Sequence, residues 1–154
     1  GILDRAYRDI QSQIHPDKFS HAGEAEKRLS MQWATRANEA YQTLKKPLSR
    51  ARYLLQLHGV DTQEETNTAM PAGFLMEQME WREAVMEAKQ ELNHKSLILL
   101  HKKLLLQRAE LLGKLETQID AAKDFSAACE TTRKLRFLEK LGEEIDDAFE
   151  AIET

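Results

Sequence analysis

Ile10-Gln11-Ser12-Gln13-Ile14-His15-Pro16-Asp17-Lys18-Phe19 is the stretch that decides how this chain folds. Ahead of it, Leu3, Ala6, Tyr7, Ile10 and Ile14 repeat at three- and four-residue spacing, the period of one helix face. Behind it, Leu29, Trp33, Ala37, Ala40, Tyr41 and Leu44 repeat with the same period. Pro16 lacks an N–H and disfavours helical angles at His15, so the first helix must stop there. The result is a helical hairpin with His15-Pro16-Asp17 at its exposed tip. Proline beside aspartate is ordinary turn chemistry. An imidazole and a carboxylate held by a ring that cannot rotate about φ are also a candidate binding element.

Outward from the hairpin, Pro47 is suited to start the next helix. Leu48 to His58 continues it, and Gly59 stops it. Residues 59–70 are rich in Thr, Gln, Glu and Asn and read as a linker, because they offer little to bury. Residues 71–154 hold three more helical patterns. The first runs from about Pro71 to Lys89. The second starts near Asn93 and carries Leu97, Leu104, Leu112, Leu115 and Ile119. The third starts near Asp124 and carries Leu138, Leu141, Ile145, Phe149 and Ile152. Asn93 and Asp124 are N-cap residue types. Short connections make such helices antiparallel neighbours. The expected fold is all-α: a hairpin unit with its short connecting helix (residues 1–58), a linker, and an antiparallel three-helix bundle.

Composition narrows the function. The 154 residues are 42% hydrophobic and 31% charged, with a net charge of −4. With no dominant basic stretch, nucleic acid is not the expected partner. Leu97-Ile98-Leu99-Leu100 is far too short to span a bilayer. A single Cys129 has no internal partner, which suits a reducing compartment. His94 and His101 lie two helical turns apart with no Cys or acid at ligand spacing, so they read as surface histidines. No metal and no cofactor is expected. Phosphate loops, nucleophile elbows and paired carboxylates are missing from the sequence.

The first helix of the bundle has two apolar faces. At about 100° per residue, Phe74, Trp81, Val85, Ala88 and Leu92 share one side, which suits the bundle core. Leu75, Met76 and Met79 fall opposite, together with Glu80, Glu83 and Glu87. Apolar side chains fringed by acids form a docking patch. Methionine adapts to a partner's shape, and each such side chain contributes roughly 1.5–3 kcal/mol on burial, before ordering costs. Packing against the hairpin unit, or completion of the bundle, explains the same residues equally well.

Several of these segments resemble one family. Pro16-Asp17-Lys18-Phe19 and Asn38-Glu39-Ala40-Tyr41-Gln42-Thr43-Leu44-Lys45-Lys46-Pro47 resemble the J domain of DnaJ-type co-chaperones. Arg50 to Gly59, Phe74 to Glu83, and Arg133 to Leu141 resemble the HscB family, J-type co-chaperones of iron–sulfur cluster assembly. The resemblance covers the whole chain in order. It implies a protein, not itself an enzyme, that stimulates the ATPase of a dedicated HscA-like chaperone of the seventy-kilodalton class and delivers an IscU-like cluster scaffold to it. Carried over position by position, it implies chaperone contacts at His15, Pro16, Asp17, Arg8 and Lys18. It implies scaffold contacts at Leu75, Met76, Met79, Glu80, Glu83, Glu87 and Phe137. Phe137 lies about 100° from the Leu138–Ile145–Phe149 stripe and so can reach the surface, while core packing explains it too. A monomer is expected, in the bacterial cytoplasm or, for a eukaryote, the mitochondrial matrix.

The sequence departs from the family in two places. A short helix that precedes Leu3 in J domains has no counterpart in residues 1–154; it would pack on the hairpin, so a truncated N-terminus is expected. Generic J domains also carry several basic residues ahead of the tripeptide, whereas Arg5 and Arg8 are offset here by Asp4 and Asp9. Long-range steering should therefore be weak, which favours a dedicated chaperone. Two rival readings stand beside this one. The first is a J-domain co-chaperone with another client or a dimerising bundle. The second is an enzyme using His15 and Asp17 as an acid–base pair, for which a convex tip lacks the concave pocket.

Overall fold

A computed structural model describes residues 1–67 and 69–153. It is helical throughout, with no strand among the described residues. The chain divides into two compact units, residues 1–53 and 54–154, and the division falls within a helix.

In the first unit, α1 (Ile2–Ile14) ends where Pro16 requires, at His15, whose ψ of 134° leaves the helical region. A single 3-10 turn, Pro16–Phe19, follows. Next come α2 (Glu24–Lys45) and the start of α3 (Pro47–Leu57), with Pro47 at its first position. The hairpin closes through polar aromatics. The Tyr7 and Tyr41 rings stack with centroids 4.1 Å apart. Tyr7 donates to Asn38 and Tyr41 to Asp4. Ser30 donates to the Ile14 carbonyl at 2.7 Å and ties α2 to the end of α1. This pairing revises the expected apolar stripe, because Leu29, Trp33 and Ile10 are about half exposed (54%, 52% and 45%). Two helices touch along one line, and the tyrosine pair already occupies it.

α3 buries Leu48, Ala51 and Leu55 on one side. It ends at Gly59, whose φ of +72° suits glycine. Val60 N–H bonds to the Leu55 carbonyl and Gly59 N–H to the Gln56 carbonyl, both at 2.9 Å. That is a Schellman closure.

In the second unit, α4 (Ala72–Gln90), α5 (His94–Glu116) and α6 (Phe125–Glu153) pack on one another in every pairing. Asn93 accepts from Ser96 N–H and Asp124 from Ala127 N–H, so both act as N-caps. α5 runs into a π-helical turn, Thr117–Ala121, that keeps Ile119 buried. The core holds Trp81, Val85 and Ala88 of α4. It also holds Leu97, Leu104, Leu111 and Leu115 of α5, and Leu135, Leu138, Leu141 and Ile145 of α6. Three expectations are corrected. Leu111 rather than Leu112 is fully buried on α5. Leu92 is 67% exposed, because α4 stops at Gln90 and the helical period no longer applies beyond it. His101 is half-buried and not a surface residue; it and His94 set their rings edge-on to Phe149 of α6.

Residues 59–67, read as a linker that buries little, are fastened to α6. Arg133 donates to the Thr62 carbonyl at 3.0 Å. Arg136 pairs with Glu65 at 3.4 Å, and the Cys129 thiol faces the Asp61 carbonyl at 3.9 Å.

Candidate functional site

The hairpin tip is a small preorganised unit. His15 is the N-cap of the 3-10 turn, and its Nδ1 accepts the Asp17 N–H at 3.2 Å. The Asp17 carboxylate lies 3.5 Å from the same nitrogen, with 92% of its side chain exposed; half of the imidazole is exposed as well. Lys18 N–H bonds to the His15 carbonyl at 3.0 Å, closing the turn. Pro16 sets φ, the cap sets the imidazole, and the carboxylate points outward. Such a tip presents an imidazole N–H donor and an anion already held in place, which lowers the ordering cost of binding. Lys18 and Arg8 are also exposed, Arg8 about two helical turns before His15 along α1.

The second candidate surface lies on α4. Trp81, Val85, Ala88 and Gln78 are buried and fix which way the helix faces. Lys103 of α5 rests over the Trp81 ring at 4.7 Å, and Arg82 reaches Glu144 of α6 at 3.5 Å. With one flank held by each neighbour, the opposite face must meet solvent. Met76 and Met79 are 62% and 63% exposed there, and Glu80, Glu83 and Glu87 are exposed beside them. Leu75 is half-buried. Phe137 of α6 is also half-buried and stands edge-on to Phe74, with centroids 6.1 Å apart. Lys134 Nζ lies over the Phe74 ring, 5.6 Å from its centroid. The Phe74–Phe137 pair therefore joins the first turn of α4 to α6, and Phe137 serves packing while keeping an open edge.

Sequence reasoning missed the length of the apolar surface. Met86 is 60% exposed, and Leu99 and Leu106 of α5 are 66% and 74% exposed. The signal was present in the helical wheel, where Met86 falls within about 20° of Met79. No group of His, Cys, Asp or Glu among the described residues is arranged to hold a metal. Among the described residues, no helix is long and apolar enough to cross a membrane.

Comparison with known proteins gives a consistent result. The family described as "HSCB C-terminal oligomerisation domain" matches residues 70–146. A co-chaperone protein HscB homolog of Aromatoleum aromaticum is 55% identical, over 100% of this chain and 87% of the relative. One from Burkholderia multivorans is 49% identical with the same coverage. Among solved structures, chaperone HscB from Vibrio cholerae aligns with a TM-score of 0.81 at 34% identity, covering 97% of this chain and 88% of that one. Human co-chaperone protein HscB aligns with a TM-score of 0.85 at 32% identity, covering 93% and 71%.

Proposed function

Since this chain belongs to the HscB family of co-chaperones, we propose that it is an adaptor with two docking ends. The His15-Pro16-Asp17 tip engages an HscA-like chaperone in its ATP state, and the α4 face carries an IscU-like iron–sulfur scaffold to it. The observation that carries this reading is that both elements stand open to solvent in one chain. Asp17 is nine-tenths exposed in the first unit, and Met76 and Met79 are three-fifths exposed in the second.

The chemistry at the tip is recognition. Asp17 offers its carboxylate to a cationic group of the chaperone, best a guanidinium that takes it in two bonds. His15 keeps Nδ1 for the Asp17 amide and turns its other ring nitrogen to the partner. Arg8 and Lys18 add short-range charge. The adaptor breaks no bond itself. It binds the hydrolysing conformation of the chaperone more tightly than the others and so raises that population. At the other end, Met76, Met79 and Leu75 supply apolar contact beside Phe137. Glu80, Glu83 and Glu87 favour a scaffold with basic groups and speed its approach.

A steady-state ATPase assay of the chaperone, with calorimetry of scaffold binding in parallel, separates the two ends. His15→Gln is expected to abolish stimulation and leave scaffold affinity unchanged. Combined Ala changes at Met76, Met79 and Glu83 are expected to weaken scaffold binding by about 2 kcal/mol, roughly thirtyfold. Stimulation by the free adaptor should persist. Full stimulation by His15→Gln would remove the tip from the mechanism; undiminished scaffold affinity in the triple variant would remove the α4 face.

A further inference from the structure

Ser30 is the one buried residue on α1, the 3-10 turn and α2, with 5% of its surface exposed. A serine in that place inverts the usual order, in which apolar side chains fill an interior and serine stays outside. Its hydroxyl donates to the Ile14 carbonyl at 2.7 Å, and Ile14 immediately precedes the His15-Pro16-Asp17 tip. Carbonyls in the last turn of a helix have no partner within it. The two amides that could close onto Ile14 from the tip are committed elsewhere. Asp17 N–H bonds to His15 Nδ1, and Lys18 N–H bonds to the His15 carbonyl. Ser30 supplies the donor that the backbone withholds.

That bond fixes a direction. The peptide group between Ile14 and His15 is planar, and both of its ends are held. Its oxygen is held by Ser30 and its N–H by the Gln11 carbonyl at 2.9 Å. The plane sets the course of the chain as it leaves α1, and so where the imidazole and the carboxylate point. The other side-chain bonds that join α1 to α2 lie farther back. Tyr7 meets Asn38 and Tyr41 meets Asp4, and Tyr7 stands about 10 Å along the helix from Ile14. The nearer apolar residues, Ile10, Leu29 and Trp33, are about half exposed and hold the tip only loosely.

We propose that Ser30 is a positioning residue for chaperone engagement, holding the tip in the one orientation that the chaperone binds. A buried hydroxyl cannot reach the chaperone, so its effect passes through His15. Without it the Ile14 carbonyl is left unpaired, and the tip samples orientations that do not bind. A protein that is competent for only part of the time shows its affinity reduced by that fraction, while the bound state is unchanged. The inference rests on the adaptor reading, and its test separates the two.

Ser30→Ala removes a single oxygen atom. In the steady-state ATPase assay, the whole chain carrying it is expected to need about fivefold more adaptor for half-maximal stimulation, the low end of what an orphaned buried acceptor costs. The maximum should be unchanged. Amide hydrogen exchange, followed by NMR on the free chain, supplies a second readout. The His15 and Lys18 amides are expected to exchange about fivefold faster, with those around Tyr7 and Tyr41 unaltered. An unchanged half-maximal concentration overturns the proposal. So does acceleration spread evenly over α1 and α2, which would make Ser30 a support of the whole hairpin. Full stimulation by His15→Gln also overturns it, and a tip that loosens in Ser30→Ala all the same locates that failure in the adaptor reading.

Discussion

At the level of single residues, the hairpin unit turns on one carboxylate. Asp4 accepts from the Tyr41 hydroxyl, and that bond holds its pKa below the usual aspartate value. Tyr41 is raised correspondingly by the same bond. A carboxylate with a depressed folded pKa stabilises the fold when ionised. That contribution is present above the unfolded value and lost as pH falls through the folded one. Tyr41→Phe should therefore move the Asp4 titration, followed by NMR, upward toward an ordinary aspartate. It should also flatten the acid side of the unit's stability profile; an unmoved titration would assign the shift elsewhere. This bond was not legible in the sequence. Tyr41 was read by its apolar period, and its hydroxyl partner lies on a different helix. The tip was legible, because Pro16 acts locally and its effect on His15 needs no tertiary information.

Helix ends show the same division between local and tertiary signals. α3 and α4 close with the same backbone pattern. In α4, Asn93 N–H bonds to the Ala88 carbonyl at 2.8 Å and Leu92 N–H to the Lys89 carbonyl at 3.3 Å. The left-handed position is Gly59 in α3 but Leu92 in α4, where φ is +55°. Glycine announces such an end and leucine conceals it, so Leu92 was assigned to the core stripe. A side chain in that conformation costs about 1 kcal/mol, and Leu92 recovers little of it because it is two-thirds exposed. Leu92→Gly is expected to stabilise the bundle by about 1 kcal/mol, measured by urea denaturation; destabilisation would show that Leu92 makes contacts of real worth. The strap at residues 59–67 went unread for a related reason. Two of its attachments are the Asp61 and Thr62 carbonyls, which accept from Cys129 and Arg133, and a backbone acceptor has no sequence signature. The two faces of α4 were legible, because Trp81, Val85 and Ala88 fix the inner one by period alone.

For the whole molecule, the all-α class, the bundle and family membership followed from periodicity and from motifs spread along the chain. The outer face of α5 did not, because its core leucines and its solvent leucines alternate too closely to separate by eye. The chain also carries two tryptophans, one in each compact unit: Trp33, half exposed on α2, and Trp81, 3% exposed in the bundle core. Each unit therefore contains its own optical reporter. Emission from the wet indole is open to a dissolved quencher, emission from the dry one is shielded, and melting of either half can be followed in the unlabelled protein.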